Sequence, residues 1–281
     1  MGEFASCPPE AVTAAEGVCG PVELKEITDR RGSAVWKATG PMATVAIKFG
    51  RGEAAEVTAR EASVLDQLSG YTVTACRAGE AVWFVTPWLA GRSTWEVFRA
   101  AREGAAGRPI ALTGAVDLCR AVAGLHAAGW VHGDLQPSHG IHTESGAKLI
   151  DFAWSWQEGT TPWTSFQGAM VHLMAPELAA WVSAGSQPVR TSPAAEVYAL
   201  SGVLWTCSTG AWPLDYQAAG IDREKVGPEG LRDSIATGRL PLSLATPWPE
   251  LQDVLRPVLL SGPADRPTAA ELGDTLAAVI T

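Results

Sequence analysis

Basic charge is what this sequence has least of. Lys and Arg number 21 against 30 Asp and Glu, giving a net charge of −9 and an isoelectric point near 5.1, and the cations are scattered along the chain. A nucleic-acid backbone or an anionic membrane surface rewards a basic face, so neither is expected as a partner. Cysteine is sparse as well: Cys7, Cys19, Cys76, Cys119 and Cys207 are odd in number and widely spaced, with no CxxC pair, which argues against a disulfide framework. There is no secretory signal, and a reducing, cytoplasmic setting is expected. Long apolar runs are also missing. The longest, Val197–Trp205, is too short to cross a bilayer and is interrupted by Ser201 and Gly202. Internal repeats and low-complexity tails are absent.

Apolar content is plentiful: 47% hydrophobic residues over 281 positions suffice for a large core, and the length suits one bilobal domain or two small ones. Nothing before about Pro21 shows a helical or strand period, so residues 1–20 are read as a partly disordered N-terminal extension. From Val22 to about Leu89, VELKEIT, AVWKA, TVAIKF and AVWFVTPWL are rich in β-branched and aromatic residues and read as strands. Between them EAAEVTAREASVLDQL reads as one amphipathic helix with Ala54, Val57, Val64, Leu65 and Leu68 on one face. Glu61 falls on that inward face, where a carboxylate needs a partner. After Gly91 the character turns helical. STWEVFRAAREG begins at a Ser93 or Thr94 cap and ALTGAVDLCRAVAGLHAAG continues it. A loop from Ser183 to Pro193 leads into AAEVYALSGVLWTCS, which is apolar all round and so expected to be buried on several sides. PELQDVLRPVLL and TAAELGDTLAAVI add amphipathic helices. The expected class is α+β: a small β-rich unit with one helix over residues 21–88 and a larger α-helical unit over residues 89–281, hinged near Thr86 to Gly91.

Val45, Ala46, Ile47 and Lys48 spell VAIK at the end of the third strand. Glu61 follows in the next helix, His132-Gly133-Asp134-Leu135 follows a long helix, Asp151-Phe152-Ala153 follows a short apolar strand, and Ala175-Pro176-Glu177 comes later. EVYALSGVLW from Glu196 and DRPTAAEL from Asp265 complete the order. Over roughly Val22 to Ile280 the chain resembles the protein-kinase-like superfamily. The later motifs are similar to those of bacterial Ser/Thr-protein kinases, and the HGDL loop is similar to that of aminoglycoside and other small-molecule phosphotransferases. The resemblance implies a bilobal protein-kinase-like fold that binds ATP between a small and a large lobe, with magnesium, or alternatively manganese, as the metal. It implies Asp134 as the acceptor of a substrate hydroxyl's proton and Lys48, held by Glu61, as the cation on the α- and β-phosphates. It assigns Asp151 to the metal, Thr86 to the back of the adenine pocket and Leu89 to a main-chain contact with adenine. Gly32, Ser33, Val35 and Ala46 would surround the nucleotide, and Arg266 would pair with Glu177. His132 is read as a residue that fastens the loop, and His126 as helix-end packing.

The departures from this pattern are specific. ITDRRGSAVWKA offers Gly32 and Ser33 where the family carries three glycines, and Arg30 and Arg31 either supply charge to phosphates or are solvated. Gly133 stands where most eukaryotic-type kinases have an arginine that reads a phosphorylated activation loop. His139, five residues after Asp134, stands where the family places a metal-binding Asn. Imidazole favours softer metals such as manganese or zinc, so His139 is an altered metal ligand, a phosphate contact or a loop-filling residue. Gln136 replaces a lysine, and Ala169-Met170 replaces the threonine that contacts it. Either the acceptor is not an ordinary Ser/Thr peptide or catalysis has been abandoned. Trp154, Trp156 and Trp163 form an acceptor platform or pack their segment down.

The expected function is an ATP-dependent kinase that moves the γ-phosphoryl group to a hydroxyl of a protein, peptide or small-molecule acceptor. The rival is a pseudokinase acting as a nucleotide-binding or scaffold module. A third reading is a kinase-like protein that activates a peptide hydroxyl in a bacterial natural-product pathway. The acceptor and the oligomeric state are left open.

Overall fold

The computed structural model describes residues 5–168 and 170–279, so Ala169 and Ile280 lie outside the described residues. The chain is of mixed α+β class and divides into two compact units, residues up to Leu89 and residues from Ala90 onward.

In the first unit, β1 (Glu23–Arg30), β2 (Ser33–Thr39), β3 (Thr44–Arg51), β4 (Thr74–Ala78) and β5 (Ala81–Pro87) form one antiparallel sheet in the order β1-β2-β3-β5-β4. Strand side chains alternate between faces, so register decides which residues meet. Ala34, Trp36 and Ala38 of β2 and Val45 and Ile47 of β3 are buried. Trp36 pairs with Ile47, and Ile47 with Val85, placing these apolar side chains on one face. The same register puts Ser33, Val35, Ala46, Lys48, Phe84 and Thr86 on the other face. Edge strand β1 is almost wholly exposed and rich in charge, which discourages pairing with another chain.

The apolar face is covered by a helix that the sequence reading did not contain. Residues 9–19, taken there as part of a partly disordered extension, form helix α1 (Pro9–Cys19), with proline in its first turn, where its missing N–H costs nothing. Ala11, Ala15 and Cys19 of α1 pack into a cluster with Trp36, Ile47 and Val85. The large side chains come from the sheet and the small ones from the helix, so α1 shows no apolar stripe of its own.

Helix α2 (Glu53–Gln67) covers the opposite face. Its buried residues are Ala55, Thr58, Glu61, Ala62, Val64 and Leu65, with Leu68 following, so the inward face is turned toward small residues relative to the Ala54 and Val57 expectation. Gly50 explains the turn: a Cβ there would lie 2.3 Å from both the Ala54 carbonyl oxygen and the Thr58 hydroxyl. Backbone approaches backbone at that seam, and only small groups fit it.

The second unit contains α3 (Thr94–Val97), α4 (Arg99–Glu103), α5 (Arg108–Ala127), α6 (Pro176–Ser183), α7 (Pro193–Thr209), α8 (Arg223–Ala236), α9 (Pro249–Leu260) and α10 (Ala269–Ala277). Two short ladders accompany them: β6 (Arg92–Ser93), β8 (Gly140–Thr143) and β9 (Gly146–Leu149), and β7 (Trp130–Val131) with β10 (Trp156–Gln157). Ser93 closes a capping box with Glu96, and Thr268 does the same with Glu271. Helix α7 is buried without a break from Ala195 to Ser208 and packs against α4, α5 and α9. Strand β4 and helices α6 and α8 had no counterpart in the sequence reading. β4 is exposed along its whole length, and α8 is interrupted at Gly227, whose φ is 64°. Among the described residues one stretch, Ala105–Ala127, is long and apolar enough by length and composition to cross a membrane, and half of its apolar window is buried. Its inward residues, including Ala111, Leu118, Cys119 and Val122, lie in a helix that packs against α10 and β9.

Gly50→Ala is expected to lower the unfolding free energy by about 1–3 kcal/mol, the usual cost of overpacking a rigid seam. Denaturant titration reads it as a lower midpoint at unchanged slope; an unchanged midpoint would mean that α2 shifts freely.

Candidate functional site

In the first unit, β3 carries Lys48 on the α2 side of the sheet, and α2 brings Glu61 to it. The Lys48 ammonium donates to the Glu61 carboxylate, with the two side chains 16% and 5% exposed. Val35 and Phe84 flank Lys48 as its direct register partners, and Ala46 faces Thr86. Beyond β5, the Trp88 N–H is spent on the Thr44 carbonyl at 3.0 Å. Arg31 and Gly32 both have positive φ, 54° and 79°, and form a two-residue turn between paired Arg30 and Ser33. The Gly32 carbonyl accepts from Arg51 N–H at 3.0 Å. The hairpin tip is therefore short and tied back to the end of β3.

In the second unit the chemistry gathers on the loop after β7 and the turn after β9. Glu196, buried in α7, accepts from the N–H of His132 at 3.1 Å and of Gly133 at 2.7 Å. His126 Nε2 lies 2.8 Å from the same carboxylate, which replaces its expected packing role with a polar one. Gly133 has φ of 81°, and a Cβ there would stand 2.7 Å from the Trp154 carbonyl oxygen. A larger residue at this position has no room, so glycine here has a backbone cause.

His132 is fully buried. Its Nε2–H donates to Ile150 O at 2.9 Å while Nδ1 accepts from Asp134 N–H at 3.2 Å, a pattern only the neutral ring satisfies. Burial holds its pKa below the ordinary histidine value, in agreement with that tautomer. Ser155 Oγ donates to His132 O at 2.8 Å, and Ile150 N–H donates to His139 O at 2.9 Å. These bonds and the β7–β10 ladder tie the Asp134 loop to the Asp151 turn. The half-buried Asp134 carboxylate accepts from Gln136 Nε2 at 2.9 Å.

His139 stands between two partners. Its Nδ1 is 2.8 Å from the Asp134 carbonyl oxygen, which can only accept, so Nδ1 carries a proton. Its Nε2 is 3.3 Å from Asp151 Oδ2. Asp151 has left-handed backbone angles, φ 64° and ψ 59°. Apart from glycine, it and Arg31 are the residues with positive φ among those described. Such a conformation costs free energy and persists where the surroundings impose it.

No family model matches the chain, and no curated protein matches it. The site therefore stands on its own geometry. The structure pairs Lys48 with Glu61, sets His139 between the Asp134 backbone carbonyl and the Asp151 carboxylate, and puts Val35, Ala46 and Thr86 on the Lys48 face. Trp154 stacks on Trp163 at 5.2 Å and meets Phe166 at 5.9 Å, while Trp156 donates to Thr191 O at 3.2 Å. These contacts belong to a packed segment. Arg266 grips Glu177 in a two-pronged pair and donates to Ala194 O at 3.1 Å. Glu196 and Ser155 escaped the sequence reading as site residues. The available signal for Glu196 was a lone acid near the start of a helix otherwise apolar all round.

Burial by itself would raise the Glu196 pKa, but His126 and the loop N–H groups hold it below the ordinary value. A carboxyl whose folded pKa lies below its unfolded one contributes stability in full above the unfolded value and loses it as pH falls through the folded one. Glu196→Gln is expected to cost about 1.5–3 kcal/mol near pH 7, the range for hydrogen bonds to a charged group. Unfolding titrations should show that difference shrinking toward pH 3; a gap independent of pH would exclude the charged anchor.

Proposed function

We propose that this chain is an ATP-dependent phosphotransferase whose two units correspond to the two lobes of a kinase-like fold. The observation that carries the reading is the Lys48–Glu61 pair. A largely buried ion pair contributes little to stability compared with apolar residues of the same volume, so its use is better sought in chemistry. A lysine immobilised by a carboxylate is a fixed cation for phosphate oxygens.

The second support is the loop carrying Asp134. Phosphoryl transfer needs the acceptor hydroxyl aimed and its proton received, and Asp134 offers a carboxylate held by Gln136 on a loop that Glu196 anchors from beneath. Among the described residues no cluster of three metal-ligating side chains exists. Asp151 and His139 nevertheless present an oxygen and a nitrogen side by side, which fits one divalent cation completed by phosphate and water. Such an ion neutralises charge on the phosphates when bound. Leu89 would offer its N–H to adenine, and Val35, Ala46 and Thr86 would wall the base.

A nucleotide-binding scaffold without turnover is the second reading. It is favoured by the short Arg31-Gly32 turn tied to Arg51, which offers little backbone to a phosphate. Radiolabelled ATP, candidate hydroxyl acceptors and a thermal-shift titration separate the two. The kinase reading expects transfer that falls roughly 100–1,000-fold in Lys48→Met and in Asp134→Asn, the scale of losing one transition-state contact. A thermal shift with ATP and no turnover with any acceptor or metal would leave the scaffold reading; no shift would remove both.

A further inference from the structure

We infer that the cavity lined from α6, α7, α8 and α9 binds a small, uncharged, largely apolar molecule carrying one oxygen that accepts a hydrogen bond from Tyr198. The cavity lies wholly within the second unit and measures about 270 Å3, against the roughly 150 Å3 that suffices for benzene in an apolar protein interior. A ring with a short substituent fits such a volume. The apolar walls are Pro176, Leu214, Ile235, Leu240, Leu259 and Leu260. Side chains of this kind gain from contact with apolar atoms and offer no hydrogen bond to water. Leu260 is 64% exposed, so the cavity can be reached from solvent on that side.

Tyr198 decides what the molecule must carry. It stands on α7, lines the cavity and is 1% exposed, yet its hydroxyl has no hydrogen-bond partner among the described residues. The Arg266 guanidinium lies over its ring at 5.0 Å. The charges of Arg266 and Glu177, both on the cavity wall, act on its hydroxyl, which places that group at the cavity's polar end. A buried O–H without an acceptor costs free energy, and phenylalanine would fill the same space without that cost. Burial also pushes the Tyr198 pKa above the ordinary tyrosine value, so the hydroxyl keeps its proton and can donate it to a ligand oxygen.

Charge on the ligand is disfavoured in either sign. Arg266 spends four of its five N–H groups, two on Glu177, one on Ala194 O at 3.1 Å and one on Ser261 O at 3.3 Å. An anion would face the Glu177 carboxylate with little of the guanidinium left to answer it. A cation would face Arg266, with Glu177 already paired. Taking a charge out of water into such a cavity without a free partner is costly, whereas a neutral oxygen asks only for the Tyr198 O–H. The cavity shares no residue with the Lys48–Glu61 pair or with the Asp134 loop, so the inference holds whether or not the nucleotide reading does.

The test is methyl NMR of the full chain, labelled at its Ile and Leu methyls and titrated with four probes that share one ring: benzyl alcohol, toluene, benzoate and benzylammonium. Expected is saturable movement of the Ile235 and Leu259 methyls by benzyl alcohol, with a dissociation constant on the order of 1 mM, as suits a ligand of about eight non-hydrogen atoms. Benzoate and benzylammonium should bind at least about tenfold more weakly. Tyr198→Phe should weaken benzyl alcohol about fivefold to tenfold, the worth of one hydrogen bond, and leave toluene as tight as before. Retained toluene binding shows that the variant's cavity is intact. Leu240→Trp, at a half-buried wall position, should abolish the binding of every probe. If Tyr198→Phe fails to fold, the preference of the unaltered chain for the alcohol over the charged probes and its loss in Leu240→Trp decide. Three results would overturn the inference: no saturable movement of these methyls with benzyl alcohol, a Tyr198→Phe variant that changes benzyl alcohol and toluene alike, or a charged probe that binds more tightly than the alcohol.

Discussion

A carboxylate sealed within an apolar helix must be surrounded by donors, and Glu196 spends its oxygens on the backbone of the loop that carries Asp134. Two successive N–H groups, those of His132 and Gly133, can face one carboxylate only if the chain curls around it, and the curl needs positive φ at residue 133. Glycine is the residue that meets that need beside the Trp154 carbonyl. Once the loop is curled, His132 lies inside it with one nitrogen for its own loop and the other for Ile150. That second bond reaches across to the residue before Asp151. The positions of Asp134, His139 and Asp151 thus trace back to one buried charge and the donors it demands. Helix α7 can carry that charge because its surroundings on all sides exclude water, which would otherwise compete for it.

The sheet unit solves a similar problem with different means. Lys48 and Glu61 stabilise each other only if α2 lies close against β3, and the approach is set by Gly50 and the small side chains opposite it. Bulk in the seam would press the helix away from the sheet and strain the Lys48–Glu61 pair. On the far face α1 supplies Ala11, Ala15 and Cys19 to cover Trp36 and Ile47. The sheet is therefore clamped on both sides by small residues.

Legibility in the sequence followed side-chain size. α7 could be read because apolar residues fill every turn, and the central strands because Val, Ile and Trp alternate. α1 could not, since its buried face is alanine and cysteine; on α2 the expected Glu61, Val64, Leu65 and Leu68 are buried, and only Ala54 and Val57 are displaced by one residue, to Ala55 and Thr58, which carry no apolar signal comparable to Val57. Strand β4 has no buried side to leave a pattern. The candidate site divides the same way. Lys48, Asp134 and Asp151 are candidates drawn from the order of short motifs along the chain. The supporting residues could not be found in that way, because Glu196, His126 and Ser155 act through backbone atoms, and a carbonyl or N–H partner leaves no mark on composition. Gly133 was noticed for the arginine it lacks, while its physical reason lies in the carbonyl of Trp154, far along the sequence.

Charge around the Asp134 loop ties the remaining departures together. Burial keeps His132 neutral, Gly133 has no side chain, and Gln136 holds the Asp134 carboxylate with an uncharged amide. The loop fixes the carboxylate's orientation but contributes no cation of its own. A transferring phosphoryl group needs positive charge aimed at its oxygens, because the reaction is mostly positioning and electrostatics. On the proposed reading that charge must come from Lys48 and from whatever cation sits against Asp151 and His139.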